Sequence, residues 1–205
     1  MKNKDIPTIC ARVFSDVFCP LLVPTYGIGF ALMATVLSFL VSDVKWSVMG
    51  IVFLTTGVIP ALAIVALWRM KYISEPGLNN RSERTVPYLI TGLSYALCAI
   101  WLWQAHAPMW LWGFPAGGAI AVVIGVLINL KWKISAHMAA MGGLVAMNAQ
   151  IAMEGVATTS AMACWFSLAV VLSGLVGASR IWLGRHTLWQ VIAGFFLGLV
   201  CVLVF

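Results

Sequence analysis

Apolar residues run along this chain in blocks of about 20 positions broken by short polar turns, the pattern of helices that cross a bilayer core of roughly 30 Å. The first block extends from about Pro20 to Val41 and stops at a tight polar turn, Asp43-Val44-Lys45. The second, about Trp46 to Leu67, contains Pro60, which predicts a kink. Blocks at about Tyr88–Gln104 and Met109–Leu130 are joined only by a few residues around His106 and Pro108, so they form a hairpin. A fifth block follows His137 and runs through Met153, a sixth covers about Ser160–Ala178, and a seventh about Leu188–Phe205. The fifth opens with Ala139, Ala140, Gly142 and Gly143, small residues that let neighbouring backbones approach closely. Residues 1–19 differ: Ile9, Val13, Phe14, Val17 and Phe18 recur at three- and four-residue steps, with Lys2, Lys4 and Arg12 between. That periodicity predicts an amphipathic helix lying on the membrane. The expected fold is all-α: one polytopic transmembrane helical bundle over residues 1–205, of six to seven spans, with an interfacial N-terminal helix.

Composition sharpens this. Of 205 residues, 62% are hydrophobic and 9% charged, against roughly 25% charged in soluble domains. Ten tryptophans, often near block ends, suit the aromatic belts of a bilayer. Five cysteines show no paired spacing, so neither a disulfide framework nor a metal knuckle is expected. The formal charge of +6 points to anionic headgroups and away from nucleic acid. With seven spans, eleven of the twelve Lys and Arg residues fall on one side and only Lys45 on the other. The positive-inside rule then makes that side, with the N-terminus, cytoplasmic, as in a bacterial inner membrane protein.

The same topology gathers three polar segments at one face: Arg81 and Arg84 within residues 69–87, Lys133–His137, and Ser179–Gln190. The third is the densest. Arg180 presents a planar fork of donors suited to an anionic oxygen pair, His186 can act as nucleophile, acid or base, and Gln190 lies four residues on, where its amide could fix the imidazole tautomer. Buried cations at the mouth of a bundle call for an opposite charge, and phosphate fits, with the helix start at Ser135 adding backbone N–H groups. The plainer alternative is a set of basic loops facing anionic lipid. On either view Arg185 and Lys131 read as headgroup anchors, and Asn148 and Gln150 as residues that bond between helices.

These residues resemble the type 2 phosphatidic acid phosphatases, relatives of the vanadium haloperoxidases. Ser179-Arg180, five residues, His186, three residues and position 190 follow that family's third signature, with Gln190 where the family has aspartate. Ile134-Ser135-Ala136-His137 is similar to its Pro-Ser-Gly-His signature, keeping Ser and His. Arg81-Ser82-Glu83-Arg84-Thr85-Val86-Pro87 keeps the arginine and a nearby proline of the first signature, without its lysine spacing. The resemblance covers about residues 69–195.

What the resemblance implies is a lipid phosphatase that needs no metal or other cofactor. His186 would be the nucleophile, forming a phosphohistidine, His137 the general acid and then base, and Gln190 the orienting group. Arg180, Arg84 or Arg81, Ser135 and Lys133 would bind the phosphate. Glu83 is an acid on the same side that could take the place of the missing aspartate. The expected partner is a phosphorylated membrane lipid: phosphatidic acid, phosphatidylglycerophosphate, a polyprenyl phosphate or diphosphate, or a lipid A phosphate, its tail left in the bilayer. The alternative is a catalytically weakened relative that binds or transports anionic lipids; a channel or transporter proper is disfavoured because no span carries an acidic relay.

Overall fold

The structure is a computed structural model that describes residues 5–158, 160 and 162–205; Lys2 and Lys4 lie outside the described residues. Its described residues form helices and no strand. The elements are α1 (Ile6–Val17), α2 (Val23–Ala34), α3 (Ser42–Val52), α4 (Ile59–Arg69), α5 (Thr85–Gln104), α6 (Met109–Asn129), α7 (Ala136–Met153), α8 (Met162–Trp182) and α9 (Leu188–Leu203). Among the described residues four helical runs are long and apolar enough to cross a membrane: Ser42–Arg69, α5, α6 and α8.

Three expected spans are of a different kind. The block from Pro20 does not form one long helix: α2 has 12 residues, about 18 Å at 1.5 Å per residue. It stops because Thr35 turns to extended backbone and bridges to Ala157, with Val36 N–H donating to the Val156 carbonyl at 2.9 Å and Thr158 N–H to that of Ala34 at 2.9 Å. The apolar α9 has 16 residues. The third, α7, is not one of the four long apolar helices because His137, Asn148 and Gln150 lower its hydropathy; it is the centre of the bundle, with 11 of its 18 residues buried. Met141, Met147 and Ile151 meet Ile28 and Leu32 of α2, Trp110 of α6, Val176 of α8 and Val202 of α9 in a continuous core. Gln150 Nε2 reaches across to the Val202 carbonyl at 3.2 Å, whereas Asn148 bonds within its own helix, to the Leu144 carbonyl.

The Asp43–Lys45 segment is the first turn of α3 rather than a free turn. The kink expected at Pro60 is taken up by a π-helical segment, Phe53–Val58, that joins α3 to α4. In that register the Thr55 carbonyl faces a proline nitrogen that has no hydrogen to give, and the Ser94 hydroxyl of α5 donates to it instead.

The tightest helix pair is α7 with α9, whose backbones touch. A Cβ at Gly198 would fall on the Ala139 carbonyl, one at Gly142 on the Phe195 carbonyl, and one at Gly194 within 2.5 Å of the Ser135 carbonyl. Contact this close brings Ser135 beside the first turn of α9, where its N–H donates to the Gln190 carbonyl at 3.3 Å. Leu62, Leu93, Val123, Leu127 and Val171 are exposed on the outer surfaces of the long helices, an apolar exterior suited to lipid.

The N-terminal helix has an exposed apolar face and a small buried one. Ile6, Ile9, Val13 and Val17 point outward, exposed by 77, 47, 54 and 45%. Ala11 and Ser15 are buried on the opposite side.

Candidate functional site

The α8–α9 connection explains the spacing of the densest polar stretch. Helix α8 ends on Gly184 at φ +66°, a left-handed residue that costs glycine little. Gly184 N–H donates to the Ile181 carbonyl at 2.9 Å and Arg185 N–H to that of Arg180 at 3.0 Å, the two bonds of a Schellman motif. The turn folds the chain back so that His186 N–H also donates to the Arg180 carbonyl, at 3.3 Å. Arg180 and His186, separated by five residues in the sequence pattern, thereby become neighbours.

Helix α9 then starts with a capping box. Gln190 Oε1 accepts from the Thr187 backbone N–H at 3.2 Å and lies 3.2 Å from His186 Nδ1. A carbonyl oxygen can only accept, so Nδ1 carries the hydrogen and Nε2 keeps its lone pair. His186 is buried, with 7% of its surface exposed. Burial first, then the Arg180, Arg84 and Lys133 cations, pushes its pKa down to about 3, the Gln190 bond working in the other direction. The ring is therefore neutral near pH 7.

Arg84 follows a short 3₁₀ turn over Arg81–Glu83, started by Ser82 N–H bonding to Asn80 Oδ1. Its Nε donates to the Leu78 carbonyl at 2.7 Å and one terminal nitrogen to the Ile134 carbonyl at 3.4 Å. These bonds fix a guanidinium that is only 3% exposed. Arg81 does not join it: its side chain is exposed and absent from the cavity lining, and its carbonyl accepts from Asn129. The reason is geometric, because the 3₁₀ turn ends between the two arginines. Glu83 is not at His186 either. Its carboxylate accepts from Ser74 N–H and Oγ and from Asn80 Nδ2, and the Ser74 bonds hold its pKa below the usual range.

Ser135 and His137 sit at the start of α7. Ser135 is fully buried and its Oγ has no partner. His137 Nε2 lies 3.1 Å from the Ser15 carbonyl and 3.5 Å from Ser15 Oγ. That Oγ accepts from an Arg180 terminal nitrogen at 2.6 Å, while Arg180 Nε is buried without a partner. Lys133 is half-buried beside the group but does not line the cavity; burial, then Arg84, Arg180 and Arg185, lowers its pKa.

These side chains surround the mouth of a cavity of about 440 Å³. Four of the expected residues in α7, α8 and the α8–α9 turn, Ser135, His137, Arg180 and His186, line it with Arg84. Gln190 stands behind His186. Arg185, which reads as a headgroup anchor, lines it too, as do Ser15, Asp16 and Tyr88, which sequence patterns did not single out. For Tyr88 a signal existed: it lies four residues after Arg84, one turn along the same helix face. Deeper in, the walls turn apolar, with Phe114, Gly118, Ala121, Val122, Gly143 and Leu197. The cavity thus enters the bundle. Among the described residues no three His, Cys, Asp or Glu side chains gather as metal ligands.

A cationic mouth with an orphaned hydroxyl and an orphaned guanidine N–H can bind a tetrahedral anion, and a neutral imidazole beside it can attack one. The chain matches no protein-family model, and comparison with curated proteins and with solved structures gave no match.

Proposed function

We propose that this protein is a membrane lipid phosphatase working by the chemistry of the type 2 phosphatidic acid phosphatases. The observation that carries the reading is the buried neutral His186 set among Arg84, Arg180 and Arg185 beside two buried polar groups, Ser135 Oγ and Arg180 Nε, that lack partners. The phosphate of a lipid monoester or diphosphate occupies the mouth and its chain follows the apolar chamber inward.

His186 Nε2 attacks phosphorus, a P–N bond forming as the ester P–O bond breaks. His137 gives its proton to the departing oxygen, then takes one from water as that water attacks the phosphohistidine and frees phosphate. Arg180, Arg84 and Arg185 hold the equatorial oxygens, Ser135 Oγ donates to one, and Lys133 adds charge from just outside. Metal is not required in this scheme. Helices α2, α7 and α9 complete a seven-crossing bundle with the four long helical runs, and the site faces the cytoplasm of a bacterial inner membrane, where eleven of twelve basic residues are counted.

One feature favours a weaker enzyme that mainly binds anionic lipids. Gln190 is neutral and its single oxygen is shared with Thr187 N–H, so it orients His186 without stabilising an imidazolium. Phosphate release from a panel of phosphorylated lipids, with chelator present, separates the two. Turnover that disappears in His186→Ala while thermal unfolding is unchanged is the expected result; full turnover in that variant removes the mechanism.

A further inference from the structure

One cavity group duplicates the contacts expected of the anion. Ser15 Oγ accepts from the Arg180 terminal nitrogen at 2.6 Å, the place of an equatorial phosphate oxygen. The Ser15 carbonyl lies 3.1 Å from His137 Nε2, and an acceptor-only oxygen there puts a hydrogen on Nε2. Ser15 is 3% exposed, and it belongs to α1, which packs along α8. Ala11 and Ser15 are its buried positions, and an exposed bond from Trp182 Nε1 to Thr8 Oγ1, 3.2 Å long, ties it to the end of α8. Its outer face, Ile6, Ile9, Val13 and Val17, is apolar and exposed, suited to the lipid interface.

We infer that Ser15 is an internal stand-in for the phosphate group, and that α1 is a lid which withdraws it along the membrane surface when a phosphate ester enters. The inference rests on the reading of this cavity as a phosphate site. Ser15 supplies acceptors to an Arg180 terminal nitrogen and to His137 Nε2, donors whose burial without a partner costs more than the net worth of the bonds themselves. Lifting α1 exchanges those bonds for the same bonds to phosphate, while the outer apolar residues stay in lipid throughout. The hinge is the turn over residues 18–22, which the Tyr95 hydroxyl anchors by donating to the Pro20 carbonyl at 2.7 Å. An internal ligand lowers apparent affinity by the fraction of time it occupies the site.

The test uses the full chain, purified in detergent, titrated calorimetrically with inorganic phosphate and with orthovanadate. Ser15→Ala removes the bond to Arg180 and is expected to bind both anions about tenfold more tightly, the scale of one charge-assisted hydrogen bond. Trp182→Phe, which touches no cavity group, loosens the lid from outside and is expected to tighten binding by a smaller factor. Thermal unfolding establishes that each variant is folded. Unchanged or weaker anion binding in folded Ser15→Ala, with wild-type anion binding intact, overturns the stand-in and makes Ser15 a positioning residue. Binding by neither wild type nor variant removes the anion subsite and the lid with it. Tighter binding in Ser15→Ala without phosphate release from any phosphorylated lipid keeps the lid and sinks the phosphatase reading. Lipid hydrolysis with no gain in anion affinity does the reverse.

Discussion

Two walls of the same cavity are built in opposite ways. The wall from α7 and α9 is backbone against backbone: Gly142, Gly194 and Gly198 leave no room for a Cβ, and Ser135 N–H bonds directly to the Gln190 carbonyl. The wall from α1 packs along α8 through side chains, and the Ser15 contacts and an exposed Trp182–Thr8 bond are its hydrogen bonds. Backbone contact fixes position because neither partner has a rotamer to move, whereas a side-chain contact can be exchanged for a ligand. The nucleophile candidate and its orienting amide therefore sit on the rigid wall, and the replaceable acceptor sits on the other.

The largest effect expected from breaking this contrast is at Gly198. Gly198→Leu drives a side chain into the Ala139 carbonyl, so α7 and α9 separate and the protein loses its folded, monodisperse form in size-exclusion chromatography. Gly174→Ala, where a Cβ meets nothing within 4 Å, is the matched control and leaves thermal unfolding unchanged or slightly raised, by about 1 kcal/mol at most.

Next in size is Gln190→Glu. The longer acid keeps the reach of the amide and the capping box, and supplies the charge that His186 lacks. Turnover is expected to rise by roughly tenfold, an electrostatic gain of about 1.4 kcal/mol at the transition state. A variant with raised thermal stability and unaltered turnover would mean that Gln190 acts only as a helix cap.

The third concerns pH. His186 has its pKa held down to about 3, chiefly by burial and then by Arg180. Its neutral, nucleophilic form consequently persists when pH falls from 7 to 5, and kcat/KM should show no acid limb near 6.5 from this group. Stability moves oppositely. Below the unfolded pKa of about 6.5 the unfolded chain takes up a proton that folded His186 refuses, so the thermal midpoint falls as pH drops from there toward 3. His186→Gln is expected to flatten that decline.

The smallest effect is on the exchangeable wall. Thr8→Val deletes the Trp182–Thr8 bond, which is exposed, and should lower global stability by less than about 1 kcal/mol. A loss comparable with that at Gly198 would mean that α1 is as rigidly built as α9 and would erase the contrast.

The ends of α5, α6 and α9 fell close to the expected positions because their boundaries are marked chemically. Pro108 precedes α6, the Thr187–Gln190 capping box opens α9, and polar residues separate the apolar blocks. The long apolar block at residues 20–41 misled because hydropathy reads length and not the bridge from Thr35 to Ala157 that ends α2. Ser135, His137, Arg180, His186 and Gln190 were legible through local spacing: each lies at a helix start or end, where caps and turns dictate direction. Arg185 read as a headgroup anchor because a basic residue after a helix is usually one, yet the Schellman turn carries it to the cavity. Arg81 and Arg84 looked equivalent three residues apart, and the 3₁₀ turn between them separated one from the other.

What the sequence by itself determined was the helical membrane bundle, through apolar block length, and the approach of Arg180 to His186, through a glycine-ended helix and a five-residue return. Tertiary structure alone decided that α1 closes the site. Ser15 is 165 residues from Arg180 and 122 from His137, and nothing in the periodicity of an interfacial helix records which partner its small, polar side meets. Local rules act over a few residues through backbone hydrogen bonds; the meeting of Ser15 with the cations depends on how α1 docks on α8, a matter of complementary surfaces.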